Sequence, residues 1–278
     1  MAELEGRVAL VTGGARGMGR SHAVALAREG AAVVLVDLCR SFDEVAYPLA
    51  TEDDLAHTAA LVEAEGVRCI THVADVRELD ALVAIVAETE AELGSLDVAI
   101  ANAGVSHMGM IDEETADGWA TVVDINLTGT FNTFRAASPG MKARRWGRLV
   151  GVSSLMGRAS NPTLSAYCAS KWGVIGLVKA ASQDLAHNGV TVNAVAPGNI
   201  GTPMVLNDNM FRMMRPDLDE PTAEDMAPVM AGLHAQPVPW LEPEEVTRAV
   251  MYLVAEGAAH ITGTVMDVSA GASARFTA

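Results

Sequence analysis

Aromatic side chains make up only 4% of the 278 residues, and cysteine contributes three. Cys39, Cys69 and Cys168 are odd in number, far apart and never in a CxxC spacing, so they predict reduced thiols rather than a disulfide framework. The seven histidines include no HxxxH or similar pairing, so the sequence carries no metal-site signature. Basic residues are outnumbered: 19 Lys and Arg face 35 Asp and Glu, for a formal net charge of −16. That balance disfavours a nucleic-acid backbone or an anionic membrane surface as partner and describes a solvated acidic exterior. No apolar run approaches the about 20 residues that span a bilayer. The acidic opening MAELEGRVAL also lacks the basic and apolar regions of a signal peptide. These absences predict a soluble, cytoplasmic protein with no nucleic-acid or membrane partner.

Half of the residues are hydrophobic, enough to bury a sizeable core without staples. Seven β-rich runs recur: RVALVTG (7–13), AAVVLVD (31–37), VRCITHVAD (67–75), LDVAIANAG (96–104), GRLVGVSS (147–154), VTVNAVAPG (190–198) and GTVMDVSAG (263–271). Most are almost wholly apolar, the pattern of strands covered on both faces. Amphipathic stretches such as SHAVALAREG, LDALVAIVAETEAELG and EPEEVTRAVMYLVAEG lie between them. The alternation predicts an α/β fold, one domain over 1–278: a Rossmann-like doubly wound parallel sheet of about seven strands with helices on both faces. Two segments interrupt the rhythm. One, 38–54, ends in TEDD, where Thr51 is placed to cap a helix with Asp54 as the return acid. The other, 199–241, is rich in Met and Pro. Both follow strand C-termini, the edge where open α/β sheets bind ligands, and loops of this length are usually lids or binding loops.

TGGARGMG (12–19) directly follows the first strand and opens a helix, the context that gives a glycine-rich pattern its meaning. Gly13 permits a tight turn, Gly17 and Gly19 let the backbone approach a pyrophosphate, and the helix N-terminus supplies N–H groups. Asp37 ends the second strand, where a carboxylate binds ribose hydroxyls and repels a 2′-phosphate, favouring NAD over NADP. Arg16 and Arg40 are the residues that would instead serve a phosphate; Asp37 is weighted more heavily because it occupies the strand end.

SAYCASKWG (165–173) sets a tyrosine four places before a lysine, so Tyr167 and Lys171 share one helical face. Such pairs also occur on solvated helix faces, and alone they identify no chemistry. The order of motifs does. TGxxxGxG at Thr12–Gly19, DV at 75–76, NAG at 102–104, Asn126, Ser154 at a strand end, YxxxK at Tyr167–Lys171 and PGNIGTP at 197–203 together resemble the short-chain dehydrogenase/reductases, over essentially the whole chain. GRSHAVALAREGA, CRSFDEVAYPLAT, MRPDLDEPTAEDM and PVPWLEPEEV further resemble the carveol-dehydrogenase-type, mycofactocin-associated subgroup.

The resemblance implies Ser154, Tyr167, Lys171 and Asn126 as catalytic residues. It carries cofactor contacts onto Gly13, Arg16, Gly17, Met18 and Gly19 in the first turn, Asp37 and Leu38 after the second strand, and Asp75 and Val76 after the third. Asn102, Ala103 and Gly104 follow the fourth strand, Tyr167 and Lys171 lie in the YxxxK pair, and Pro197, Gly198, Ile200, Thr202 and Met204 follow the sixth. In this subgroup the 38–54 insertion covers the bound NAD and retains it, which implies an external redox partner; the family is usually a homotetramer through helix pairing.

A phenol of ordinary pKa about 10 is a poor base at pH 7, and bringing it to about 7 takes roughly 4 kcal/mol of preferential phenolate stabilisation. Lys171 and an oxidised nicotinamide are expected to supply that, while Ser154 positions the reacting oxygen. By resemblance Asn126 anchors a water near Lys171; from the residues alone it is equally a polar residue inside a helix. Ser154, Tyr167, His107, Met156 and Asn199 are the expected substrate contacts, His107 being equally readable as a solvated loop histidine. Met204, Met210, Met213 and Met214 suggest a soft apolar lid over an apolar secondary alcohol or ketone, terpenoid- or steroid-like. Arg212 and Arg215 keep an anionic substrate open, although acidic neighbours flank them. Cys168, about 100° around the helix from Tyr167, is expected to be a core thiol. Two alternatives stand beside the NAD-dependent dehydrogenase: an NADPH-dependent 3-ketoacyl-carrier reductase and a non-catalytic NAD sensor.

Overall fold

The computed structural model describes residues 3–275. Seven strands form one parallel sheet: β1 (Val8–Thr12), β2 (Ala32–Asp37), β3 (Cys69–Val73), β4 (Val98–Ala101), β5 (Gly147–Val152), β6 (Val190–Pro197) and β7 (Val265–Val268). Their order is β3-β2-β1-β4-β5-β6-β7. All seven fall on the apolar runs read from the sequence, and the doubly wound sheet is as expected.

Strand alternation explains the two layers. In β1, Val8 and Leu10 point to one face and Ala9 and Val11 to the other, because successive side chains leave a pleated strand on opposite sides. The first face packs on α3 (Leu79–Leu93), α5 (Gly129–Arg144) and α6 (Ser165–Ala186) through Leu82, Phe134, Met141, Val174 and Val178. The second packs on α1 (Gly17–Arg28), α2 (Glu52–Ala64) and α9 (Pro243–Val254) through Leu26, Leu55, Val62, Val246 and Leu253. Central strands β1, β4, β5 and β6 are buried along their whole length, whereas β3 and β7 are not. That is the difference between strands with two neighbours and edge strands.

The chain builds outward from β1 to β3, then returns so that β4 lies on the other side of β1. The loops leaving β1 and β4 therefore diverge, opening a crevice at the C-terminal edge of the sheet. The 38–54 segment runs into this crevice and ends in a closed capping box: Thr51 Oγ1 accepts the Asp54 N–H at 3.2 Å and Asp54 Oδ2 accepts the Thr51 N–H at 3.0 Å. The 199–241 segment is more regular than a loop. It holds α7 (Asp208–Met214), capped by Asn207, and α8 (Ala223–Leu233), capped by a Thr222–Asp225 box. Met226 and Met230 of α8 are buried, so part of the methionine content fills space rather than facing the crevice. A π-helical turn at Asp124–Thr128 joins α4 (Ala116–Val123) to α5, and widened turns of this kind are frequent at functional sites. Among the described residues no helix is long and apolar enough to cross a membrane.

Candidate active site

The crevice is lined by the first glycine turn, the exits of β2, β3 and β4, the 38–54 segment and residues 202–204, and encloses about 890 Å³ counting its open mouth. Its floor is stitched by side chains. Asn102 Nδ2 donates to the Thr12 and Gly13 carbonyls at 3.0 and 3.1 Å, and Thr12 Oγ1 accepts the N–H groups of Asn102 and Ala103. This pulls the two diverging loops so close that a Cβ on Gly13, whose φ is +63°, would lie 2.8 Å from the Ala103 Cα. Only glycine fits there. A Cβ on Gly19 would meet the Gly13 carbonyl oxygen at 2.0 Å, so Gly19 shapes the turn from beneath.

Asp37 divides its carboxylate between the Ala15 N–H (3.1 Å) and the Cys39 N–H (3.2 Å), which fixes it at the crevice wall. Asp75 is gripped by Arg77 at 2.6 Å; burial pulls its carboxyl up, but the Arg77 hydrogen bonds outweigh that and leave it below the usual range. Arg77 also stacks over Phe42, 4.9 Å from the ring centroid, with Arg40 at 5.9 Å. The Arg16 guanidinium donates to the Pro48 carbonyl. Of the two arginines that would serve a 2′-phosphate, Arg16 is tied to the insertion through Pro48, and Arg40 lies exposed at the crevice wall.

The residues present fit a dinucleotide. The glycine turn has no side chains in the way, Asp37 retains acceptor capacity, and Asn102 Oδ1 is buried with no partner of its own, an acceptor aimed at nothing in the protein. Gly13, Arg16, Gly17, Met18, Asp37, Leu38, Asp75, Val76, Asn102, Ala103, Gly104, Thr202 and Met204 line the crevice. Pro197, Gly198 and Ile200 do not. Pro197 pairs with Val268 in the sheet, Gly198 packs against Ser269, and Ile200 is buried and bridged to Leu241.

At the end of β5, Ser154 opens a 3₁₀ turn, its Oγ accepting the Met156 N–H at 3.1 Å. The Tyr167 side chain, one helical turn from Lys171 on α6, is hydrogen-bonded to Ser154. Lys171 is buried, donates to the Val152 carbonyl at 2.9 Å and places Nζ 5.6 Å from the Tyr167 ring centroid. Burial pulls the Lys171 ammonium down to about 8. Burial also pushes the Tyr167 phenol up, and the Ser154 hydrogen bond offsets only part of this. The depressed phenol expected from the Tyr-Lys spacing is therefore not produced by the protein groups alone; enclosure costs the phenolate more than its neighbours return.

Asn126, in the π-helical turn, is fully buried. Its amide takes the Val105 N–H (2.8 Å) and donates to the Val105 carbonyl (3.0 Å) and Ser170 Oγ (3.1 Å). His107 is held between the Glu44 carbonyl (2.6 Å) and Glu114 (3.3 Å). Asn199 bonds His234 through its side chain and Leu241 through its carbonyl. Arg215 is occupied by Asp217 and the Asp225 carbonyl. Cys168 is a buried free thiol. Phe42, Tyr47, Val105 and Ile125 also line the crevice, and none was singled out from sequence. The one available signal is rarity: Tyr47 is one of three tyrosines, set in the 38–54 insertion. Among the described residues no group of three His, Cys, Asp or Glu could hold a metal ion.

Comparison with known proteins agrees with this geometry. The family model for short chain dehydrogenases matches residues 7–212. A (-)-trans-carveol dehydrogenase of Rhodococcus erythropolis is 42% identical over 273 residues, covering 98% of this chain and 99% of its own. The crystal structure of carveol dehydrogenase from Mycobacterium avium in complex with NAD is 39% identical, with a TM-score of 0.96 over 98% of this chain and 99% of that one. A short chain dehydrogenase from Mycobacterium paratuberculosis bound to NAD is 35% identical, with a TM-score of 0.89 and coverage of 98% and 99%. The chain belongs to the short-chain dehydrogenase family.

Proposed function

We propose that the protein is an NAD-dependent oxidoreductase that interconverts an apolar secondary alcohol and its ketone. The observation that carries this reading is the meeting of Ser154, Tyr167 and Lys171 beside a crevice whose wall presents Asp37. The glycine turn and the α1 N-terminus would hold the pyrophosphate, and Asp37 would accept from the adenosine ribose. Bound NAD would supply a hydride-accepting ring and, when oxidised, a positive charge. The remaining work falls to the chain. Ser154 holds the alcohol oxygen, Tyr167 takes its proton, and the Lys171 ammonium favours the phenolate that must form in a site otherwise hostile to it. In the reverse direction neutral Tyr167 donates.

The likeness to carveol dehydrogenases favours a carveol-like terpenoid. The insertion braced by Arg16, Arg77 and His107 supports NAD that stays bound and is turned over by an external redox partner, within the cytoplasm. Exposed Trp119, Phe131 and Trp172, on α4, α5 and α6, support assembly into a homotetramer. The test is product formation from apolar secondary alcohols with NAD, NADP and an artificial electron acceptor compared. Turnover with NAD or with the acceptor supports the reading; turnover with NADP alone contradicts it.

A further inference from the structure

Two residues of the 38–54 insertion grip the loop that leaves β4. Tyr47 Oη accepts the Ser106 N–H at 3.0 Å, and the Glu44 carbonyl bonds His107 Nδ1 at 2.6 Å. A carbonyl only accepts, so Nδ1 carries the proton of that bond, while Nε2 faces Glu114 at 3.3 Å. Just before these two residues, the same loop is gripped by other elements. Val105 has both its N–H and its carbonyl taken by Asn126. Gly104 passes so near the catalytic helix that a Cβ there would lie 3.1 Å from Asn126 Oδ1 and 3.4 Å from Lys171 Nζ. Asn126 in turn bonds Ser170, whose hydroxyl donates to the Tyr167 carbonyl. Residues 104–107 are thus clamped between the insertion and the elements around Tyr167 and Lys171.

We propose that Tyr47 is a positioning residue: by fixing Ser106 it fixes the 104–105 backbone against the Lys171 ammonium, which makes the insertion part of the reaction centre as well as a cover. This rests on the dehydrogenase reading above. An ammonium acts on a phenol through distance and direction, and small displacements of catalytic groups are costly in rate. Tyr47 is only 8% exposed and lines the crevice, so its ring has a packing role that phenylalanine would keep, while its hydroxyl has the clamping role that phenylalanine would lose.

Tyr47→Phe separates the two roles. With cofactor and alcohol saturating, kcat is expected to fall about tenfold while KM for the alcohol stays within about twofold. The acidic limb of the kcat profile for alcohol oxidation, where Tyr167 becomes protonated, moves to higher pH, because the phenolate loses part of its cation's support. In the same variant without nucleotide, amide hydrogen exchange accelerates at Val105 and Ser106 but not in β4 or α6. His107→Ala, cutting the other tie, gives the same signature, and the double variant loses less than the product of the two single losses because both hold one segment. An active Tyr47→Phe enzyme with unchanged kcat and pH profile overturns the proposal, as does unchanged exchange at Val105 and Ser106. An inactive wild-type protein refutes the dehydrogenase reading instead, and the exchange measurement then decides whether the clamp exists.

Discussion

Lys171 is an expensive residue for this fold. Its ammonium is buried, and its pKa falls from 10.5 to about 8, so the folded protein binds this proton less well than the unfolded chain does. The sign follows: between about pH 8 and 10.5 stability rises with pH, and below pH 8 the full penalty is in force. That penalty is about 3 kcal/mol, offset by about 1 kcal/mol from the bond to Val152. Lys171→Met, which keeps the length without the charge, is therefore expected to unfold at higher urea than wild type at pH 7 by about 2 kcal/mol while losing turnover. A midpoint at or below wild type would show that the buried ammonium is compensated within the protein. A stability cost tolerated at this position is what a functional site produces.

The α1–α9 contact holds a second buried base. His22 is 0% exposed, bonds Thr247 Oγ1 at 2.8 Å through Nδ1, and leaves Nε2 without a partner. Burial lowers its pKa to about 3. Its contribution is complete above the unfolded value of about 6.5 and is lost as pH falls, about 2 kcal/mol by pH 5. His22→Gln cannot titrate, so its urea midpoint should drop less than wild type between pH 7 and 5 by that amount. Equal drops would contradict the assignment. Neither this contact nor the clamp on residues 104–107 could be read from the chain. Periodicity locates the seven strands and the capping box at Thr51, because those depend on neighbours in sequence. The glycine turn and the Tyr167–Lys171 pair are legible for the same reason. Tyr47 and Ser106 lie 59 residues apart, and Arg16 and Pro48 lie 32 apart. Their meeting depends on how the insertion folds back, which carries no local period.

Taken over its full surface, the protein is strongly acidic, with a formal net charge of −16, yet α4, α5 and α6 carry three half-exposed aromatics among the few the chain possesses. Trp119 is 42% exposed and Phe131 and Trp172 46%. Because α4 and α5 both pack on α6, these rings belong to one side of the sheet, the side that the proposed homotetramer would bury. Sedimentation should show a tetramer for the wild-type chain and smaller species when Phe131 and Trp172 are both replaced by Glu. A wild-type monomer, or an unchanged tetramer in the double variant, would contradict this assembly.

Everything proposed for the chemistry converges on the hydroxyl of Tyr167, held by Ser154, with the Lys171 cation 5.6 Å from the ring centroid. The most direct test is Tyr167→Phe, with alcohol turnover and NAD binding by calorimetry measured on the same preparation. The account predicts nucleotide binding close to wild type and turnover lower by at least about 100-fold, the usual contribution of a positioned acid or base. Turnover at the wild-type level in a variant that still binds NAD would contradict it.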